Sequence, residues 1–252
     1  MLKQKVIGEF EVDKLEKVGK RDFFLQVKVG KQADSVQPGQ FAMVFPSSEN
    51  SFDPLLGRPL GIFSAKNGKL GFLFRVYGRG TKILSQSKER VKVLFPLGKP
   101  IPEEKGKFLF IAGGIGIAGL FLAIERFSKS GNDVVVFYGD KDISELSALK
   151  FLQNLNVDVR VFTEDGSAGT KGLPTEGIEK FKDYTWIACG PKGLLKVVQK
   201  KALSLSVNCY LLLDTRMACG IGACLGCAVK TVSGYKLCCS DGPVFRAEEV
   251  VL

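Results

Sequence analysis

Five of the chain's seven cysteines fall within 21 positions, and their spacing limits what that stretch can become. Cys219, Cys224 and Cys227 form C-x4-C-x2-C, with Cys238 and Cys239 following after ten and eleven intervening residues. This is the ligand spacing of a plant-type 2Fe–2S site. A loop that wraps a compact inorganic cluster has to keep its other side chains small. Gly220, Gly222, Ala223, Gly226 and Ala228 do so, and leave backbone N–H groups free to turn toward sulfur. Two rival readings are four unligated thiols packed as small hydrophobes and a zinc site. Zinc prefers paired C-x2-C knuckles, and one such knuckle is present. Spacing alone does not choose between Cys238 and Cys239, and Cys189 and Cys209 lie outside the pattern.

Histidine is absent, which removes the commonest general base, the commonest zinc ligand and any Rieske-type ligation. At 252 residues the chain is too long for one minimal domain and suits two with a small appendage. The net charge of +10 raises the question of nucleic acid. The lysines, however, are scattered and not clustered between aromatic residues, so no nucleic-acid partner is expected. The charge reads instead as holding anionic cofactors or an acidic partner subunit. No apolar run approaches the roughly 20 residues of a membrane span. The first 22 residues alternate charged and apolar types without a signal-peptide block. The expectation is a cytoplasmic protein with no membrane partner.

The rest of the chain divides by texture into an α+β multi-domain fold. Residues 1–102 carry short strands, expected at 23–29, 40–45, 61–65, 71–77 and 91–95, with a hairpin turn at Asn67-Gly68. Together they suggest a small antiparallel β-barrel. Pro96, Pro100 and Pro102 read as a linker. Residues 103–208 alternate strands (108–112, 133–138, 158–163, 185–189) with helices (118–129, 143–154, 177–182, 193–205). That repeat predicts an α/β parallel-sheet nucleotide domain. Residues 209–252 hold the cysteines as a small C-terminal 2Fe–2S cluster domain.

Within the nucleotide domain an apolar strand runs into Gly113-Gly114-Ile115-Gly116-Ile117-Ala118-Gly119 and then an apolar helix. Gly114, Gly116 and Gly119 satisfy G-x-G-x-x-G in the strand–turn–helix context where N–H groups can meet a pyrophosphate. Asp140, ending the next strand, is placed to meet a ribose hydroxyl. Cys189-Gly190-Pro191 closes a later strand at the carboxyl edge of the sheet, where ligands bind; on its own, Cys189 reads as a buried core thiol. In the barrel, Arg58-Pro59-Leu60-Gly61 and Arg75-Val76-Tyr77 offer planar charge to phosphate. Gly80-Thr81, opening a helix expected at 82–87, offers N–H groups and a hydroxyl. Taken singly, Arg58 reads as a surface charge and Gly78 and Gly80 as a plain turn.

The order of these motifs is more specific than any one of them. R-P-x-x, G-x-G-T, G-G-I-G-I-A, C-G-P and then Met217-Ala218-Cys219-Gly220-Ile221-Gly222-Ala223-Cys224-Leu225-Gly226-Cys227 with Cys239-Ser240-Asp241-Gly242-Pro243-Val244-Phe245 resembles the electron-transfer subunit of two-subunit (class 1B) dihydroorotate dehydrogenase. The resemblance covers essentially the whole chain, and the first two domains resemble the ferredoxin reductase superfamily. It implies FAD on the barrel, held by Arg58, Pro59, Leu60, Gly61, Arg75, Val76, Tyr77, Gly80 and Thr81. It implies NAD(H) framed by Gly113, Gly114, Gly116, Cys189, Gly190 and Pro191. The 2Fe–2S cluster would sit on Cys219, Cys224, Cys227 and Cys239, the last because the family's fourth ligand directly precedes the D-G-P segment. The implied partner is an FMN-containing catalytic subunit in a heterotetramer of two plus two. No side chain is expected to act as acid or base.

Two positions depart from the pattern: Gly61 stands where the family usually has serine or threonine, and Gly119 where it commonly has proline. Alternatives are the flavin–iron–sulfur small subunit of an NADH-dependent ferredoxin:NADP oxidoreductase, whose first cluster ligand is typically aspartate, and a flavin-free ferredoxin-like docking scaffold.

Overall fold

Alternating charged and apolar residues at the start of the chain build the longest strand. In β1 (Val6–Lys17) Val6, Phe10, Val12 and Leu15 turn toward a core while the glutamates between them face water. The sequence reading assigned no strand here. The computed structural model describes residues 5–46 and 53–252.

β1 is joined by β2 (Asp22–Lys28), β3 (Phe41–Phe45), β4 (Arg58–Gly61), β5 (Ser64–Lys66), β6 (Lys69–Arg75) and β7 (Arg90–Leu97). They form one antiparallel sheet in the order β4-β3-β7-β1-β2-β6-β5. The sheet rolls far enough that β4 also lies beside β6. Asn67 (φ 52°) and Gly68 (φ 71°) make the expected hairpin between β5 and β6, both in the left-handed region that such a turn requires. Two expectations need correction. The strand expected at 61–65 is two strands, because the chain changes partner between Gly61, paired with β3, and Ser64, paired with β6. Pro96 lies within β7, not in a linker.

A short helix α1 (Arg79–Leu84) follows β6. The second sheet is built from β8 (Lys107–Gly113), β9 (Asp133–Asp140), β10 (Asp158–Thr163), β11 (Thr170–Lys171), β12 (Thr185–Cys189) and β13 (Cys209–Leu212). These run parallel in the order β11-β10-β9-β8-β12-β13. Helices α2 (Ile117–Lys129), α3 (Leu149–Leu152) and α4 (Lys192–Ser204) connect them. The helix expected at 143–154 breaks into a 3-10 turn, Ile143–Glu145, and α3. Asp142 accepts from Ser144 N, Glu145 turns inward to an arginine, and the Ser147 hydroxyl reaches Asp22. A continuous helix would rotate these groups off their partners.

The cysteine segment adds a hairpin, β14 (Ala228–Thr231) and β15 (Gly234–Leu237), then β16 (Val244–Arg246). β16 pairs antiparallel with β13 and closes that edge of the parallel sheet. The division expected after residue 208 therefore falls one position before a strand of the parallel sheet.

β3 is buried on both sides. Ala42 and Val44 fill the barrel interior, whereas Phe41 and Met43 join a core containing Trp186, Cys227, Cys238 and Cys239. The barrel meets α2 through Phe63 stacked on Phe121 (4.0 Å, 9°), with Phe24 and Phe151 packed edge-on or tilted beside them. Among the described residues no helix is long and apolar enough to cross a membrane.

Candidate redox site

The cysteine loop arranges its thiols as two pairs. Cys219 lies beside Cys224, and Cys227 beside Cys239, with Cys219 and Cys239 close enough to interact. Backbone N–H groups of Ile221 (3.4 Å) and Cys224 (3.4 Å) donate to Cys219 Sγ. Gly222 N donates to Cys239 Sγ (3.1 Å) and Cys239 N to Cys227 Sγ (3.4 Å). Gly220 and Gly222 adopt φ of 72° and 87°, conformations that aim these amides inward and that glycine alone adopts without strain. Burial opposes ionisation of Cys219, but the amides prevail and lower its pKa to about 6. Burial and the neighbouring Cys227 push Cys239 up to about 12. Four converging thiolates repel one another, so all four ionise together only around positive charge. Among the described residues no three such side chains gather as they would around a single ion. Two thiol pairs suit two irons bridged by sulfide, and the donor set fits a 2Fe–2S cluster. Cys238 is turned away: its thiol donates to the Leu213 carbonyl (3.2 Å), and burial pushes its pKa up to about 12.

This loop sits directly on the barrel. A Cβ at Gly220 would lie 2.6 Å from Met43 Cγ and 3.1 Å from Leu97 Cδ1. Met43 is the β3 partner of Pro59 in β4, so the loop and the Arg58-Pro59-Leu60-Gly61 strand flank one residue. Gly98 likewise abuts Pro243.

Of the residues expected at the flavin, Arg58 to Gly61 form the half-buried edge strand β4. The Arg58 guanidinium lies against Gly80 at the start of α1, where any side chain on residue 80 would displace it. Tyr77 is 71% exposed, an open aromatic face with Arg21 above it (5.9 Å). Val76 is fixed by its N–H to Arg21 O (2.9 Å). Thr81 uses its hydroxyl locally, accepting from Tyr77 N (3.0 Å) and Gly78 N (3.2 Å). The glycine-lined ledge beside Arg58, with an uncovered aromatic next to it, fits an anionic, planar cofactor.

Arg75 is tied to carboxylates of both domains. It is buried and holds Asp22 in a fork (Nε–Oδ1 2.7 Å, Nη2–Oδ2 2.9 Å). It also meets Asp140 Oδ2 (3.0 Å) and Glu145 (2.9 Å) from the nucleotide domain. Burial works against its charge, but Asp22 and Asp140 more than offset this and raise its pKa. Asp140, read as a ribose contact, is thus engaged by an arginine from the barrel; its pKa is raised by burial. Its carboxylate remains 3.4 Å from the Cβ position of Gly114. The sequence carries no signal that Arg75 serves this seam.

The nucleotide turn and the Cys189-Gly190-Pro191 turn pack backbone to backbone. A Cβ at Gly116 would meet the Cys189 carbonyl at 2.5 Å, one at Gly113 would meet Pro191 at 3.0 Å, and one at Gly190 would meet Gly113 N at 3.0 Å. Glycine at these positions lets the two turns meet at the carboxyl edge of the parallel sheet, where dinucleotides bind in sheets of this kind. Cys189 is half-buried, and desolvation followed by the field of Asp214 pushes its thiol to about 12, so it stays neutral. Asp214, just past β13, went unassigned in the sequence. It reaches solvent, yet the surrounding protein raises its pKa. An acidic residue just beyond a strand's carboxyl edge is the one sequence signal that could have marked it.

The two departures from the family pattern meet each other. A Cβ at Gly61 would lie 2.9 Å from Gly119 Cα and 3.2 Å from Gly119 N. One at Gly119 would approach Cys189 Sγ at 3.7 Å. β4 and α2 thus close to a distance that a serine at position 61 would not fit without a shift.

A rolled antiparallel sheet followed by a parallel nucleotide sheet and a thiol-bearing loop defines a ferredoxin reductase-like flavoprotein class with an iron–sulfur appendage. The chain overlays the structure of an NADH-dependent reduced ferredoxin–NADP oxidoreductase with a TM-score of 0.85 at 28% identity, covering 96% of this chain and 89% of that one. Residues 214–251 match the iron-sulfur cluster binding domain of dihydroorotate dehydrogenase B. The chain is 40% identical to the dihydroorotate dehydrogenase B (NAD(+)) electron transfer subunit homolog of Aquifex aeolicus, over 86% of this chain and 87% of that protein. It is 34% identical to the electron transfer subunit of Clostridium acetobutylicum over the same shares. This chain belongs to the family of dihydroorotate dehydrogenase B electron transfer subunits.

Proposed function

We propose that the chain passes electrons between NAD(H) and the FMN of a separate dihydroorotate dehydrogenase catalytic subunit, through FAD and a 2Fe–2S cluster, in de novo pyrimidine biosynthesis. The observation that carries this reading is the pairing of four thiols on a segment packed against Met43 of β3, the strand paired with the one that bears Arg58-Pro59-Leu60-Gly61. A bound flavin exchanges two electrons with a nicotinamide and single electrons with an iron–sulfur centre.

The chain's own residues supply position and environment. Arg58 and the Gly80-Thr81 turn would hold the FAD phosphates, Tyr77 would cover a face of the cofactor, and Gly61, lacking a hydroxyl, would leave its backbone to contact the ring. Gly113, Gly114, Gly116, Gly190 and Pro191 would seat the dinucleotide. Cys189, neutral and beside Gly119, excludes water without moving a proton. Cys219, Cys224, Cys227 and Cys239 would hold the irons, and the four amide donors would stabilise negative charge on sulfur. Ile221 (45% exposed) and Leu225 (65%) lie open beside the cysteines and suit contact with the catalytic subunit, in an assembly of two plus two. The three-part division at about residues 102 and 208 belongs to the same proposal.

Anaerobic co-purification with the catalytic partner tests it. Flavin, iron and inorganic sulfide should be found together, and NADH should drive reduction of orotate. Protein holding zinc, or lacking sulfide, would overturn the reading. The ferredoxin:NADP oxidoreductase small subunit is a second reading, supported by the backbone overlay; a cysteine at position 219 and 40% identity to the Aquifex relative favour the first. A flavin-free scaffold would release no yellow colour on denaturation.

A further inference from the structure

Met43 stands between the strand bearing the flavin motif and the loop bearing the cysteines. It is fully buried. Alternate β3 residues point to opposite sides, and Met43 points away from the barrel interior into the core that includes Leu97, Cys227, Cys238 and Cys239. Its partner across the ladder is Pro59. On one side, its Cβ and Cε lie 3.3 Å from where a Cβ at Gly57 would stand. On the other, its Cγ and Sδ lie 2.6 Å and 3.3 Å from the Cβ position of Gly220, the residue after Cys219. Both neighbours are glycine, so backbone closes on this one side chain from the flavin strand and from the cluster loop.

We propose that Met43 is a positioning residue for electron transfer: its side chain sets the approach of the cluster loop to the flavin strand and keeps water from the barrel-facing side of the cluster. The inference rests on the redox reading above. A thioether on an unbranched stem fills an irregular gap and is polarisable. The apolar shell of a metal centre governs solvent access and so its potential. Reduction adds negative charge to the cluster. Water admitted beside Gly220 therefore stabilises the reduced form more than the oxidised form and raises the potential.

The test uses the anaerobically isolated subunit carrying its flavin and cluster. Met43→Ala, Met43→Val and Met43→Leu are compared with Leu25→Ala, a truncation in the barrel interior away from this contact. The midpoint potential comes from an EPR-monitored titration of the reduced cluster, and the rate of cluster reduction from rapid mixing with NADH. Met43→Ala should raise the potential and slow cluster reduction at least about tenfold, because a displacement of about 1 Å is costly to pre-organised groups. Met43→Val should shift both in the same sense by less. Met43→Leu should restore both, and Leu25→Ala should leave the potential in place. Unchanged values in Met43→Ala and Met43→Val, or an equal shift in Leu25→Ala, overturn the inference. Wild-type protein lacking iron and sulfide would instead sink the redox reading beneath it.

Discussion

The barrel touches the rest of the molecule along two seams, and one of them adds charge to its apolar contacts. Toward the nucleotide domain the seam sets ion pairs around the Phe63–Phe121 stack: Arg75 binds Asp140 and Glu145, Lys66 binds Glu125 (3.2 Å), and Lys150 binds Glu16 (2.8 Å). Toward the cysteine loop it is apolar and made of small residues, Gly220 on Met43 and Gly98 on Pro243. The charged seam reaches the nucleotide turn, where Asp140 Oδ2 lies 3.4 Å from the Cβ position of Gly114. Where the proposed flavin strand and cluster loop come close, the chain removes side chains and lets backbones approach. The Gly61–Gly119 contact extends that second strategy into the cleft between β4 and α2.

The sharpest way to break this contrast is at sulfur. Cys224→Ser should abolish cluster absorbance and partner reduction together, and partner reduction persisting at the normal rate would refute the relay. Next in size is Arg75→Met. Removing the cation leaves three carboxylates facing one another in a buried site, at a cost of about 3–5 kcal/mol in chemical denaturation. Iron and sulfide content should stay unchanged, because the ionic seam does not touch the cysteines; loss of the cluster would show that the seams are not separable.

Gly61→Ser restores the family's usual type but meets Gly119 backbone at 2.9 Å. Overpacking of this kind costs about 1–3 kcal/mol, read as a lowered melting temperature and weakened flavin retention. Lys150→Ala should cost at most about 1 kcal/mol, since both partners reach solvent. Hydrogen bonds from Lys14 and Lys150 lower Glu16 from 4.5 to about 2. Its small contribution is therefore present above pH 4.5 and lost as pH falls toward 2, and Lys150→Ala should flatten part of that slope in acid titration.

The parts of the fold legible in sequence were those governed by local chemistry. The glycine turn between β8 and α2, the Asn67-Gly68 hairpin and the cysteine loop are dictated by backbone freedom and ligand spacing within a few residues. What escaped depends on distant partners. Glu145 and Ser147 read as positions in a helix because nothing nearby reveals Arg75 and Asp22 waiting across the interface. Arg75 gave no sign in sequence of its ion pairs with Asp22, Asp140 and Glu145 for the same reason. Gly61 and Gly119 looked like two independent losses until β4 and α2 were seen to press them together. The alternation in β1 was visible, but its pairing with β7 and β2, which makes it a strand, involves residues far along the chain.

The strand that follows the last cysteines, β16, has a use apart from electron traffic. It covers the outer rim of β13, whose amide and carbonyl groups would otherwise face other chains as an open template for pairing. Iron held by the preceding cysteines, as proposed, would therefore also guard against aggregation. A preparation damaged by oxygen should then turn cloudy as it turns pale.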